Sequence, residues 1–320
     1  MTGQARRRLP RDSRAPCAVF IPSRFGRPDM RYGSLTLLLL AAATLGGCDG
    51  VLDPKGPIAL AERQILFNAT GIMLAIVIPV AIATLGVAFW FRASNERARY
   101  RPDFIDSGRI EILVWSIPLM TVLLVGTVAW IGAYDLDPPK PIASSGKPLK
   151  IQVVSLDWKW LFIYPEQGVA SVNQLTIPVG TPVSFELTSS GVMNSFFVPQ
   201  LAGQIYTMAG MVTRLNLLAD YPGTYRGMSA NYSGAGFSDM VFKVDAVAPD
   251  SFAQWAAVAR SAGPVLDART YSDLVRPSRA VAPFTYRSVV DGLFANAMSA
   301  AMQPAAGLCI AYPKSMRAER

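Results

Sequence analysis

Two stretches of this chain carry no charge over lengths that leave little choice of structure. The first lies between Arg63 and Arg92 and runs for 28 residues; the second lies between Glu111 and Asp135 and runs for 23. A helix rises about 1.5 Å per residue, so each stretch can cross a bilayer core of about 30 Å. In hydrocarbon every backbone N–H and C=O must find its partner within the protein, and a helix does this within one segment. Pro79 and Pro118 lie inside the two runs and are expected to kink the helices rather than forbid them. Trp90, Trp115, Trp130 and Tyr134 fall near the ends, where aromatic rings settle at headgroup level. The connection between the runs, residues 92–110, carries Arg92, Arg97, Arg99, Arg101 and Arg109. A short basic loop stays in the cytoplasm. The reading is therefore a transmembrane hairpin, with helices over 64–91 and 111–134, a cytoplasmic loop over 92–110, and both ends outside.

The N-terminal region points to the same orientation. From Met30 the order is Arg31, then an apolar run from Leu35 to Ala43, then small residues, the layout of an export signal too short to span. Leu45-Gly46-Gly47-Cys48 looks like a bacterial lipobox, which implies cleavage before Cys48, lipidation of its thiol and a periplasmic segment over 48–63. Residues 1–47 form the signal and an N-terminal extension. The stretch 1–29 precedes a complete signal, so Met30 is the expected true start. Of the three cysteines, Cys17 is removed and Cys48 is lipidated, which leaves Cys309 without a disulfide partner in the mature chain.

The formal charge of +8 invites a nucleic-acid reading, but its placement argues against one. Eight arginines lie in the first 47 residues against only Asp12 and Asp29, so the mature chain keeps 22 basic and 20 acidic residues. That is no electrostatic footprint for nucleic acid. With 51% hydrophobic and 16% charged residues, the composition fits a membrane protein.

After Tyr134 the pattern changes. Residues 135–148, rich in Pro, Ser and Gly, read as a linker. From 149 to 247 about seven short β-like runs are separated by Pro and Gly, a pattern of an antiparallel Greek-key sandwich or barrel. Pattern alone does not separate the possible sandwich folds. Residues 248–302 read as a helical C-terminal arm: Phe252, Trp255 and Val258 have helical spacing, a shorter piece runs from Tyr271 to Val275, and 284–302 has room for another helix. Residues 303–320 read as a tail.

The segment from Met193 to Met240 contains Asn194 just before Ser195-Phe196-Phe197-Val198-Pro199, then Ser229, Asn231, Ser233, Phe237 and Met240, with Gly227 and Gly234 between them. It resembles the copper-binding loops of subunit II of the haem-copper respiratory oxidases. In the cytochrome c-oxidising members one His opens the site and a Cys-x-x-x-Cys-x-x-x-His-x-x-Met run closes it around two copper ions. In this chain the corresponding positions are Asn194, Ser229, Ser233, Phe237 and Met240, so four of the five side-chain ligands are gone. Copper relays need thiolate and imidazole donors, which amide, hydroxyl and phenyl groups cannot replace. The chain has no His at all, so it supplies no imidazole to a haem either. The loss matches subunit II of the cytochrome bo-type ubiquinol oxidases, whose electrons arrive from quinol.

The resemblance sharpens the fold to an α+β membrane protein: a two-helix hairpin, a periplasmic cupredoxin-like antiparallel β-barrel or sandwich over 149–247 without copper, and a short helical C-terminal arm. It implies a proton-pumping quinol oxidase at the bacterial inner membrane, this chain acting as a structural and assembly subunit with no catalytic centre of its own. Haems and copper would belong to subunit I; smaller membrane subunits, membrane lipid and ubiquinol would be the other partners. Glu111 matches the subunit II Glu at the mouth of a proton-input pathway. Asp157-Trp158-Lys159-Trp160-Leu161-Phe162-Ile163-Tyr164 resembles the aromatic segment in which, in copper-bearing members, the Trp at the position of Trp158 receives the electron. Without copper that role has no destination, and Trp158, Trp160, Phe162 and Tyr164 are expected as packing and interface residues. Two alternatives stay open on the residues alone: a copper-containing cytochrome c oxidase subunit II, and a free-standing periplasmic lipoprotein that binds a ligand.

Overall fold

The computed structural model describes residues 50–99, 107–143 and 146–302. The lipobox with Cys48, the middle of the basic loop and the tail with Cys309 lie outside the described residues.

Helix α1 runs Pro57–Trp90 and α2 runs Gly108–Asp135. Both are apolar on every side, and rings such as Trp115 and Trp130 stand 77% and 78% exposed, as a lipid-facing surface requires. Helix α1 begins seven residues before its uncharged run, so its first two turns, with Glu62 and Arg63, extend beyond it. Pro57 opens it at a position where the missing N–H costs nothing. Gly56 precedes it because a Cβ there would collide with the Leu218 carbonyl. Backbone bonds from Lys55 N to Gln200 O and from Asp220 N to Lys55 O fix this junction to the β domain. On the other side, Asn216 holds the segment after α2 through Pro138 O and Pro139 O.

The β domain has ten strands. One sheet contains β1 (Leu149–Leu156), β2 (Lys159–Tyr164), β3 (Val169–Val172), β5 (Val183–Ser189) and β8 (Thr213–Leu217). The other contains β4 (Gln174–Pro178), β6 (Asn194–Val198), β7 (Ala202–Thr207), β9 (Gly223–Ser229) and β10 (Val241–Val247). The two sheets enclose a core that includes Tyr164 and a cluster of Trp160, Phe162, Phe185, Phe196 and Phe242, whose rings meet at 5–6.5 Å centroid spacings in edge, tilted and stacked contacts. Such pairs contribute roughly 0.5–1.5 kcal/mol each beyond their buried area. The architecture is the expected cupredoxin-like sandwich, with one correction. It is not purely antiparallel, because β1 pairs parallel with β5 and β4 pairs parallel with β10. Each parallel pair comes from a chain that crosses between the sheets before returning, which short-range alternation cannot reveal.

The C-terminal arm comprises α3 (Pro249–Ser261), β11 (Val265–Leu266), α4 (Ala268–Val275), β12 (Phe284–Tyr286), β13 (Ser288–Val289) and α5 (Leu293–Met302). It is less helical than expected, since β12 adds an edge strand beside β3. Phe252 and Trp255 of α3 pack on Tyr164 and extend the core. The rest of the arm covers the outer face of β2: Leu161 and Ile163 lie in a second cluster with Leu266, Leu274, Tyr286 and Phe294. With both faces covered, all six residues of β2 are buried.

Candidate site in the 194 and 229–240 loops

The five positions that align with copper ligands do come together. Asn194 starts β6, Ser229 ends β9, and β6 pairs with β9 through Phe196 and Ser229. Ser229 Oγ lies 3.2 Å from both Asn194 Oδ1 and the Asn231 carbonyl, and its one proton serves either. Asn194 donates to Val192 O, and Asn231 donates to Met193 O. Ser233 Oγ points to Met240 Sδ at 3.9 Å, while the ring of Phe237 packs against Tyr232. A short 3-10 turn, Phe237–Asp239, returns the chain to Met240, whose side chain is buried. The polar groups satisfy one another, so burying Asn194 and Ser229 at 2% and 5% exposure costs little. A copper pair does not fit here: the donors are amide, hydroxyl, hydrocarbon and one thioether, a set without thiolate or imidazole. Among the described residues no group of His, Cys, Asp or Glu is arranged to hold a metal ion.

Beside this loop stands Trp158, in the turn between β1 and β2. Its φ of 65° is unusual for a bulky residue, and such backbone persists only where the surroundings hold it. Its Nε1 donates to Ser233 O at 3.1 Å. Gly234 and Gly236 lie against the ring, and a Cβ on Gly236 would strike it. The Arg279 guanidinium sits 5.4 Å from the ring centroid. Next in sequence, Lys159 is 1% exposed, and its Nζ donates to Arg276 O at 2.7 Å and to Ser278 Oγ at 2.5 Å. Burial pulls its ammonium below the ordinary lysine range, and the carboxylate of Asp157 partly opposes this.

Of the four aromatics expected as packing and interface residues, three are interior. Trp160, Phe162 and Tyr164 have no exposed surface, because alternate residues of a strand share a face and theirs looks into the sandwich. Trp158, one turn earlier, is the partly exposed member. Sequence reading missed Lys159 and Arg279. A lysine set inside the apolar run Trp158–Tyr164 is the signal that a polar acceptor from elsewhere must reach it. Glu111 stands in the first turn of α2, exposed, its backbone N–H bonded to Ser107 O.

Comparison with known proteins bears directly on these loops. The family model for the periplasmic domain of cytochrome c oxidase subunit II matches residues 165–247. A cytochrome bo(3) ubiquinol oxidase subunit 2 from Pseudomonas aeruginosa is 48% identical over 270 residues, 84% of this chain and 82% of that protein. This chain belongs to the ubiquinol oxidase subunit 2 family. A second member, from Acetobacter aceti, is 48% identical over 251 residues, 78% of this chain and 80% of its own length. The periplasmic domain of a cytochrome oxidase subunit II from Bradyrhizobium japonicum has 21% identity and a TM-score of 0.35, covering 37% of this chain and 98% of that domain. As a ubiquinol oxidase subunit 2, the chain is an inner-membrane component of an oxidoreductase complex, with two apolar spans and a cupredoxin-like periplasmic domain.

Proposed function

We propose that this chain is a non-catalytic subunit of a proton-translocating ubiquinol oxidase. It docks its hairpin against subunit I and caps the periplasmic face, while the haems and copper reside in subunit I. The observation that carries this is the self-satisfied hydrogen-bond set of Asn194, Ser229 and Asn231 where a copper relay would need sulfur and imidazole donors. Electrons therefore bypass this domain and reach subunit I from quinol. Smaller membrane subunits complete the assembly, and diacylglycerol on Cys48 anchors the N-terminus in the outer leaflet of the inner membrane. The test uses the purified native complex. Ubiquinol, and not reduced cytochrome c, should drive oxygen consumption, with copper present only in the amount that subunit I holds. An extra copper pair that tracks with this chain would defeat the reading. Mass spectrometry of the mature N-terminus should find lipid on Cys48, and an unmodified thiol there would remove the anchor.

Glu111 is proposed as a proton-uptake residue. It is an ionisable side chain at one end of a span, where such groups commonly serve function. Glu111→Gln is expected to slow both turnover and proton uptake by roughly 10²-fold, the lower end of what a positioned proton-transfer group contributes. Unchanged turnover and uptake would assign the residue to ordinary interfacial solvation.

A further inference from the structure

In a metal-bearing loop, coordination bonds order the chain. The 229–240 loop needs another source of order, because its side-chain contacts within the loop are few and lie toward its ends: Ser229 to Asn231 O, Asn231 to Tyr232 O, Ser233 to Met240, and the rings of Tyr232 and Phe237. Trp158 is the external contact that reaches its centre, through the indole bond to Ser233 O and the ring against Gly234 and Gly236. Trp158 itself is in a left-handed conformation that needs support. That support comes from the C-terminal arm. Residues 276–281 are tied across the β1–β2 turn by Lys159 Nζ to Arg276 O and Ser278 Oγ, by Arg279 over the indole, and by Asn173 Nδ2 to Val281 O. Asn173 also accepts from Trp160 N, so one side chain joins the start of β2 to the arm.

We propose that the arm orders the 229–240 loop in place of a metal, acting through Trp158. The arm clamps the turn, the turn fixes the indole, and the indole holds Ser233–Gly236. Arg279 is a positioning residue: its guanidinium lies over the ring, 5.4 Å from the centroid, and the ring meets the loop. The idea rests on the reading that no metal orders the loop, so metal content is measured on each sample used.

The experiment is amide hydrogen exchange on the full-length subunit in the purified complex, read at Phe237, Asp239 and Met240, whose N–H groups bond within the loop. Arg279→Ala removes a surface contact and leaves the fold. It is expected to speed exchange at these amides about three-fold, the scale of one partly exposed cation–π contact, with β5 amides unchanged. Arg279→Lys, which keeps a cation over the ring, should restore protection. In a Trp158→Ala background, where the loop is already loose, Arg279→Ala should add nothing further, since the two would act through one contact. The proposal fails if Arg279→Ala loosens residues 276–283 but leaves the loop amides as they were. It fails equally if the two substitutions are additive. Copper beyond the amount that subunit I holds would overturn the metal-free reading whatever the exchange shows, and unchanged exchange in a sample without that excess would overturn this inference alone.

Discussion

At the scale of single residues, the domain is governed by what each buried polar or small group is given to meet. Gly227 lies beneath the ring of Phe242, and a Cβ there would overlap the ring. Gly227→Ala should therefore destabilise the domain by about 1–3 kcal/mol, the cost of forcing extra volume into a packed core; thermal unfolding of the subunit in detergent measures it. Asn173 has a φ of 53° and uses both ends of its amide, accepting from Trp160 N and donating to Val281 O. Asn173→Ala strands a buried donor and should cost about 1–3 kcal/mol, whereas Asn173→Gly eases the backbone and loses the same bonds. The tyrosines set the alkaline limit. Burial raises Tyr164, Tyr225, Tyr271 and Tyr286 above their usual value of 10, Tyr271 to about 12. Their folded forms hold a proton that the unfolded chain releases near pH 10. Their contribution is complete below that pH and is lost as pH rises from 10 through about 12. Lys159 runs the opposite way: its lowered affinity costs stability while the unfolded chain is protonated, and that cost fades as pH approaches 10.5. A denaturation series from pH 9 upward should therefore fall, since four tyrosines oppose Lys159.

At the scale of elements, β2 is the informative strand. Its residues Lys159–Tyr164 are buried on both faces, one by the opposite sheet and one by the arm. Removing the arm after residue 248 would uncover Leu161, Ile163, Ala170 and Val172 as one apolar surface. A patch of that kind promotes association. The truncated subunit is expected to aggregate or to require detergent even with its hairpin removed; a monodisperse truncated domain in light scattering would show that the arm is dispensable for the sandwich. This segment shows no alternation, because alternation needs one wet face and β2 has none. The expected helix over 284–302 forms only from Leu293. Before it, Phe284–Tyr286 is drawn into the sheet by the free edge of β3, a pairing partner more than a hundred residues upstream.

For the whole molecule, orientation follows from charge. The basic loop should face the cytoplasm and the 229–240 loop the periplasm. A cysteine placed at Asn95 should react with an impermeant thiol reagent only after the membrane is opened, and one at Tyr232 should react in intact spheroplasts. The reverse pattern would invert the topology. The hairpin and the sandwich are also joined at a stiff junction, where Lys55 is bonded to the loops at Gln200 and Asp220 and Asn216 holds Pro138 and Pro139. Short bonds thus tie the domain to both entering chains.

Much of this was written in the chain itself. Uncharged length determined the hairpin, since hydrocarbon admits no unpaired backbone, and Asn194, Ser229, Ser233 and Phe237 determined that these positions carry no sulfur or imidazole donor of the kind a copper relay needs. These are local properties, fixed by which residues are present. The tertiary structure alone decided the parallel pairs, the burial of β2, and the clamp of Lys159 and Arg279 on the turn. Those contacts join segments far apart in sequence, Lys159 reaching Arg276 across 117 positions. No local period encodes such a meeting; it exists only once the sandwich has closed and brought the arm across its outer face.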